Sequence, residues 1–297
     1  MLPIIRTSGL SKRYGKQFAL NDLDLEVNQG EVLGYLGPNG AGKTTTIRLL
    51  LGLIAPTSGN ATIFGMDVQG RAPEVHRRLA YVPGEANLWP GLTGHETVAL
   101  LGRVHGCLDA AYRDELIARF DFDPTKKVRS YSKGNRQKLN LIAGLMTRAE
   151  LLMLDEPTSG LDPLMERHFR ECIREARHRG QTVFLSSHIL SEVEALCDRV
   201  GILRQGELLE IGTLADMRHL SAVSVEATFD GPPPDVSSVP GVTALQVEAR
   251  RLRCHVTGSI RPLLTVVAQA SVRELVSTQP SLEELFLSHY GAVDEPG

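Results

Sequence analysis

Eight consecutive residues, Gly37-Pro38-Asn39-Gly40-Ala41-Gly42-Lys43-Thr44, carry the spacing GxxxxGK[ST], the pattern of a phosphate-binding loop. Its glycines let the chain turn tightly enough for backbone N–H groups to face phosphate oxygens. A helix opening directly after the loop adds the positive end of its dipole. Lys43 reaches the β- and γ-phosphates, Thr44 offers a hydroxyl to Mg²⁺, and Thr45 continues the same binding turn. A pair of carboxylates completes the set. Leu151-Leu152-Met153-Leu154 runs straight into Asp155-Glu156. Asp155, at the tip of a buried strand, can hold a Mg²⁺ water opposite Thr44. Glu156, one residue further, can polarise an attacking water as general base. With Lys43, these residues predict binding and hydrolysis of a nucleoside triphosphate.

The elements that must position these groups are legible around them. Residues 4–36 fall into strand-like runs, the last being the apolar Glu31-Val32-Leu33-Gly34-Tyr35-Leu36, which stops at the loop. From Gly42 the pattern is helical until Gly52 and Pro56 close it. Leu79-Ala80-Tyr81-Val82-Pro83 reads as a strand and its exit. A mostly helical stretch, roughly 95–145, follows, with Asp109 to Phe120 placing Leu116, Ile117 and Phe120 on one face. Leu151–Leu154 and Thr182–Ser186 read as strands buried on both faces, joined by a helix over Pro163–Arg179. Strands alternating with helices predict an α/β fold with a mainly parallel sheet.

With 297 residues the chain is long enough for two modest domains. Composition shifts near residue 220. Residues 1–220 read as one nucleotide-binding domain, with a helical subdomain over about 86–145. Residues 221–297 read as a small α+β appendage containing a hairpin (Val242–Val247, Leu252–Val256) and a capping-box start at Ser281-Leu282-Glu283-Glu284-Leu285-Phe286. A net charge of −3 argues against a generally basic nucleic-acid binder. No apolar run approaches the roughly 18–20 residues of a membrane span, and the N-terminus lacks a signal-peptide pattern, so a cytosolic location is expected. Cys107, Cys172, Cys197 and Cys254 are scattered and read as isolated thiols.

Four further motifs narrow the reading. Tyr131-Ser132-Lys133-Gly134-Asn135-Arg136-Gln137-Lys138, with Ser132 lying 23 residues before Asp155, resembles the LSGGQ signature of ATP-binding cassette (ABC) proteins. Ser159-Gly160-Leu161-Asp162 resembles that family's D-loop, and Ser186-Ser187-His188 its switch histidine. Tyr14, in Ser11-Lys12-Arg13-Tyr14-Gly15, matches the aromatic that stacks on adenine. The order of motifs covers roughly residues 4–220 and is more specific than any one of them. The resemblance implies an ABC ATPase core with a RecA-like sheet, and ATP with Mg²⁺ as the bound species. It also implies head-to-tail pairing with a second ATPase subunit, a homodimer being expected, in which Ser132 and Gly134 of one chain contact the γ-phosphate held by the other. His188 would position the attacking water and Asp162 would communicate between the sites.

The sequence departs from the family pattern in two places. Tyr131, Lys133 and Asn135 replace three signature residues. The glutamine expected after Tyr81-Val82-Pro83 is Gly84, with Glu85 next and available to replace it through a local shift. Asn87-Leu88-Trp89-Pro90 follows. Two readings of Trp89 stand, one docking a permease helix and the other packing inside the helical subdomain. The YSKGNRQK signature, the LWPGLTGHE stretch and the C-terminal PSLEELFLSHYG resemble ATP-binding subunits of bacterial multidrug or antibiotic-resistance exporters. That implies a separate transmembrane permease, a peripheral place on the cytoplasmic membrane face, and contact with the membrane only through the permease. The alternative is a soluble ABC ATPase acting on nucleic acid or the ribosome. Only 88 residues separate Lys43 from Ser132, without heptads, and the chain has one cassette, which favours the transporter reading and no nucleic-acid partner.

Overall fold

Three runs, Val32–Leu36, Leu151–Asp155 and Thr182–Ser187, lie side by side in one sheet with every residue buried. The computed structural model describes residues 3–85, 88–106, 109–219 and 223–278. Two antiparallel strands lead in, β1 (Pro3–Tyr14) and β2 (Gln17–Asn28), followed by β3 (Val32–Leu36) and α1 (Lys43–Leu50). Next come β4 (Ser58–Ile63), β5 (Met66–Asp67), α2 (Ala72–His76) and β6 (Leu79–Val82). Helices α3 (Gly94–His105), α4 (Ala110–Arg119) and α5 (Lys133–Leu145) follow, then β7 (Leu151–Asp155), α6 (Pro163–His178) and β8 (Thr182–Ser187). The run ends with α7 (Leu190–Leu196), β9 (Arg199–Arg204) and β10 (Glu207–Thr213).

The six-stranded sheet has the order β10-β9-β3-β8-β7-β6, and the five strands from β9 to β6 are parallel. Helices cover both faces of such a sheet, so its central strands read as unbroken apolar runs and not as alternations. A second, antiparallel sheet, β2-β1-β4-β5, shares a core with it through Ile5, Leu23, Leu33, Tyr35 and Phe184. Helix α6 turns Met165, Phe169, Cys172, Ile173 and Ala176 inward at helical spacing, and packs on β8 and α7.

The expected helical stretch divides into three helices with defined ends. Thr93 and Glu96 form a reciprocal capping box at the start of α3, and Gly106 closes it in the left-handed region at φ 73°. Asp109 caps α4 by accepting from Tyr112 N–H, and Asp121 ends that stretch at φ 44°. The buried face of α4 differs from the expected one. It is Tyr112, Leu116 and Phe120, at i, i+4 and i+8, while Ile117 is only half-buried. Tyr112, turned inward, has the guanidinium groups of Arg148 and Arg179 4.7 and 5.0 Å from its ring centre, a pairing no helical pattern encodes.

The chain divides into two compact units, Met1–Ile211 and Gly212–Gly297. In the second, α8 (Leu214–His219) precedes β11 (Val223–Phe229), β12 (Val242–Glu248), β13 (Arg251–Val256), α9 (Arg261–Ala268) and β14 (Val272–Thr278). These strands form an antiparallel sheet in the order β12-β13-β11-β14. Val225, Ala227, Phe229, Leu252, Cys254 and Val256 face Leu263 and Val267 of α9. The hairpin read from the sequence is β12–β13, while the Ser281–Phe286 pattern and Cys107 lie outside the described residues. Cys172, Cys197 and Cys254 are free and buried, and burial raises the pKa of each thiol. Among the described residues no helix is long and apolar enough to cross a membrane.

Phe169 is fully buried where α6 meets the sheet. Phe169→Ala should destabilise the first unit by about 3–5 kcal/mol, read as a shift in its denaturation midpoint.

Candidate nucleotide site

Strand β3 delivers the chain to Gly37 and α1 takes it up at Lys43, so the loop sits at the carboxyl end of a central parallel strand. Open α/β sheets bind ligands there. Gly42 caps α1 at φ 112°, and a Cβ on it would stand 2.5 Å from the Ala19 carbonyl oxygen. Only glycine fits that position. Pro38 is half-buried, while Asn39 and Gly40 form the exposed tip, with Gly40 at φ 82°. Ala41 N–H donates to Pro38 O at 3.2 Å, and Gly37 N–H to Ser187 O at 3.4 Å. Lys43 is buried. Its Nζ donates to Gly37 O at 2.6 Å and Pro38 O at 3.1 Å, and lies 3.2 Å from Glu156 Oε1. Thr45 is half-buried in the first turn of α1.

Asp155 ends β7 and is buried between two hydroxyls. Thr44 Oγ1 donates to its Oδ2 at 2.9 Å and Ser186 Oγ to its Oδ1 at 2.6 Å. The next residue, Glu156, has φ 46°, a left-handed backbone that costs about 1–3 kcal/mol in a non-glycine residue. That turn points the carboxylate back over the loop, where its Oε1 meets Lys43 and lies 3.3 Å from His188 Nδ1. Glu156 N–H is held by Ser186 O at 3.0 Å. Tyr81 closes one side. Its hydroxyl is pushed up to about 12 by burial and then by the Asp155 carboxylate, so it stays protonated.

These groups line an open cleft of about 520 Å³ that includes Asn39, Thr44, Asp155, Glu156 and His188. Arg48, Tyr81, Glu85, Lys133 and Ser159 line it as well. Ser186 is the residue sequence reasoning did not single out. Its signal was present: two hydroxyls, Ser186 and Ser187, end a buried strand directly after the apolar run Val183-Phe184-Leu185. The donor set of Thr44 hydroxyl and Asp155 carboxylate suits Mg²⁺, a hard cation commonly held by one or two protein oxygens plus substrate phosphates. Among the described residues no cluster of three or more His, Cys, Asp or Glu forms a metal cage of its own.

The residues of the other motifs stand elsewhere in the unit. Ser132 is the N-cap of α5 and accepts from Asn135 N–H at 3.2 Å. Asp162 caps α6, its Oδ1 accepting from Leu164 and Met165 N–H at 3.0 Å each. Gly134 packs so closely on the D-loop segment that a Cβ would lie 2.7 Å from Gly160 O. Gln137 Nε2 donates to Pro157 O at 2.8 Å, so α5 is tied to the segment that leaves β7. Tyr14 is 53% exposed at the end of β1, with Lys12 Nζ 5.2 Å from its ring centre. Trp89 is 50% exposed, which removes the reading that packs it inside the helical subdomain.

A loop of this form, a strand-end aspartate bonded to its threonine and a glutamate at its lysine define a phosphate-loop ATPase. The family model described as ABC transporter matches residues 20–159. The bacitracin transport ATP-binding protein of Bacillus licheniformis is 42% identical over 213 residues, covering 71% of this chain and 70% of that protein. A daunorubicin resistance ATP-binding protein of Streptomyces coeruleorubidus is 37% identical over 299 residues, covering 95% of this chain and 94% of that one. A solved ATP-binding subunit of an ABC transporter aligns with a TM-score of 0.68 at 32% identity, covering 72% of this chain and 92% of that chain. The chain belongs to the ABC transporter family, as an ATP-binding and ATP-hydrolysing subunit.

The missing glutamine has a steric reason. A Cβ on Gly84 would lie 2.8 Å from the Asp155 backbone oxygen, closer than real Cβ contacts allow. Gly84→Gln, which restores the family residue, should therefore lower ATP turnover by about tenfold or more by displacing Asp155. Steady-state ATPase assays check this, with Glu85→Gln as the companion that leaves the backbone in place.

Proposed function

We propose that this chain powers export of a drug- or antibiotic-like small molecule through a separate transmembrane permease, working as a head-to-tail dimer at the cytoplasmic membrane face. What carries this reading is likeness along nearly the whole chain to an ATP-binding protein named for daunorubicin resistance. The bacitracin transport relative supports it over 213 residues, 70% of its own length.

In this reading the loop from Gly37 to Thr45 holds the phosphates through the backbone N–H groups of Asn39, Gly40 and Gly42 to Thr45 and the Lys43 ammonium, while Tyr14 stacks on adenine. Thr44 and Asp155 hold Mg²⁺, which neutralises phosphate charge when bound. Glu156 accepts the proton of the attacking water, at the place its left-handed backbone aims it. His188, hydrogen-bond distance from the same carboxylate oxygen, orients that water and the γ-phosphate. Ser132 and Gly134 reach the γ-phosphate of the partner cassette from the start of α5, and Asp162 lies where the two sites communicate. Loss of the γ-phosphate removes the bridge between subunits, which turns hydrolysis into opening. Glu85, on the rim of the cleft, takes the sensing role of the family's glutamine.

The permease's cytoplasmic helix is assigned to a second cleft, of about 420 Å³, lined by Leu53, Leu79, Tyr81, Val104 and His105. Leu53 and Val104 are 59% and 78% exposed there, apolar surface of the kind that marks a partner site. Tyr81 lines both this cleft and the nucleotide cleft, so the two share a side chain. Residues 1–220 act as the ATPase domain, with a helical subdomain over about 86–145, and residues 221–297 as an accessory domain.

Glu156→Gln should lower ATPase turnover by about a hundredfold or more while ATP-bound dimers accumulate on size exclusion. Unchanged turnover would sink the general-base role. Removal of residues 221–297 should leave ATP binding within about twofold, since every nucleotide contact precedes it. Loss of binding in a folded truncation would refute that division. Export itself is tested by co-purification with a multi-helix membrane protein encoded beside this chain, and by drug efflux that stops with Glu156→Gln.

A further inference from the structure

Helix α7 buries a carboxyl group directly behind the catalytic histidine. Glu192 is only 6% exposed, makes no ion pair among the described residues and is not one of the residues that line the nucleotide cleft. Ser187 Oγ donates to its Oε2 at 2.6 Å, while Oε1 makes no hydrogen bond of full geometry among the described residues. Burying a carboxyl with one oxygen unmet costs a few kcal/mol. A leucine there would remove that cost but leave the buried Ser187 hydroxyl without its acceptor, so stability alone does not explain the residue.

Its surroundings do. Ser187 is the residue before His188, and its hydroxyl also accepts from Ile189 N–H at 3.0 Å. One hydroxyl thus pins the backbone on both sides of the histidine. The carbonyl of the same residue accepts from Gly37 N–H at the mouth of the phosphate loop. On the other side Thr158, itself buried, approaches the Glu192 carboxyl from the segment that follows Glu156. Thr158 O in turn accepts from Leu161 N–H at 3.0 Å, inside the D-loop. Burial raises the Glu192 pKa, partly offset by the Ser187 and Thr158 hydroxyls.

We propose that Glu192 is a positioning residue for ATP hydrolysis, holding the Ser187–His188 backbone in register with the Glu156–Thr158 segment so that histidine and general base stay on one water. It acts through Ser187 and Thr158 and does not touch substrate. The inference rests on the roles given above to Glu156 and His188. It adds a link between the switch histidine and the D-loop behind both.

The test uses the full-length chain, with Glu192→Leu, Glu192→Gln and Ser187→Ala compared in steady-state ATPase kinetics, binding of a fluorescent ATP analogue and thermal melting. Glu192→Leu should lower kcat by about tenfold or more, with the KM for ATP and nucleotide affinity within about threefold and the melting temperature maintained. Glu192→Gln, which keeps the acceptor for Ser187, should restore kcat to within about twofold of the parent. The double variant with Ser187→Ala should be no slower than the slower single, because both cut one chain of contacts. A wild-type kcat in Glu192→Leu overturns the proposal, as does a loss of kcat, affinity and melting temperature together that Glu192→Gln does not rescue. If Glu192→Leu does not fold, Ser187→Ala decides, and a parental kcat there overturns it. Normal turnover in Glu156→Gln would fail the underlying reading. An inactive Glu156→Gln beside an unaffected Glu192→Leu would fail this inference alone.

Discussion

Everything at the nucleotide site depends on one buried carboxylate, Asp155, held between the hydroxyls of Thr44 and Ser186. A charge at the end of a strand buried on both faces is tolerable only when hydrogen bonds replace the water it has lost. Those bonds come from the helix after the phosphate loop and from the neighbouring strand, so the requirement to satisfy Asp155 fixes three elements at once. The central order β3-β8-β7 follows from the same need: β8 must lie between the strand that carries the loop and the strand that carries the aspartate. The mainly parallel sheet supplies that arrangement, because all three strands end at one edge.

The second constraint is how the chain leaves β7. Glu156 takes a left-handed backbone, its N–H is fixed by Ser186 O, and Pro157 O is held by Gln137 from α5. Gly134 rests against Gly160. The helix that starts at Ser132 and the residue Glu156 are therefore parts of one bonded segment, even though in the proposed head-to-tail pair they would serve different ATP molecules. Strain of this kind persists only where surrounding bonds over-determine it. Here they come from β8 on one side and α5 on the other, and next to the histidine Ser187 donates to the buried Glu192.

Much of this was legible in the sequence because it is local. The phosphate loop, the apolar strands before it and before Asp155, and the helix starts at Asp109, Ser132 and Asp162 each depend on a few neighbouring residues. Turn chemistry, capping and burial on both faces leave their mark in such short windows. The inward face of α4 was misread because the partners of Tyr112, Arg148 and Arg179, lie far away in sequence. Trp89 was open to two readings because an aromatic in a loop has no periodic partner to place it.

The sequence by itself determined the class of the protein, since loop, strand-end carboxylates, signature and switch histidine are each short patterns in a set order. Only the tertiary structure decided how they act together. It brought Ser186 onto Asp155 and turned Glu156 toward Lys43 and His188. It also set Gly84 so close to Asp155 that no side chain fits there. These relations join residues 30 to more than 100 positions apart, through backbone angles and close approaches that no residue type announces. Chemistry can be named from side chains in a row, but its geometry exists only once distant strands are paired.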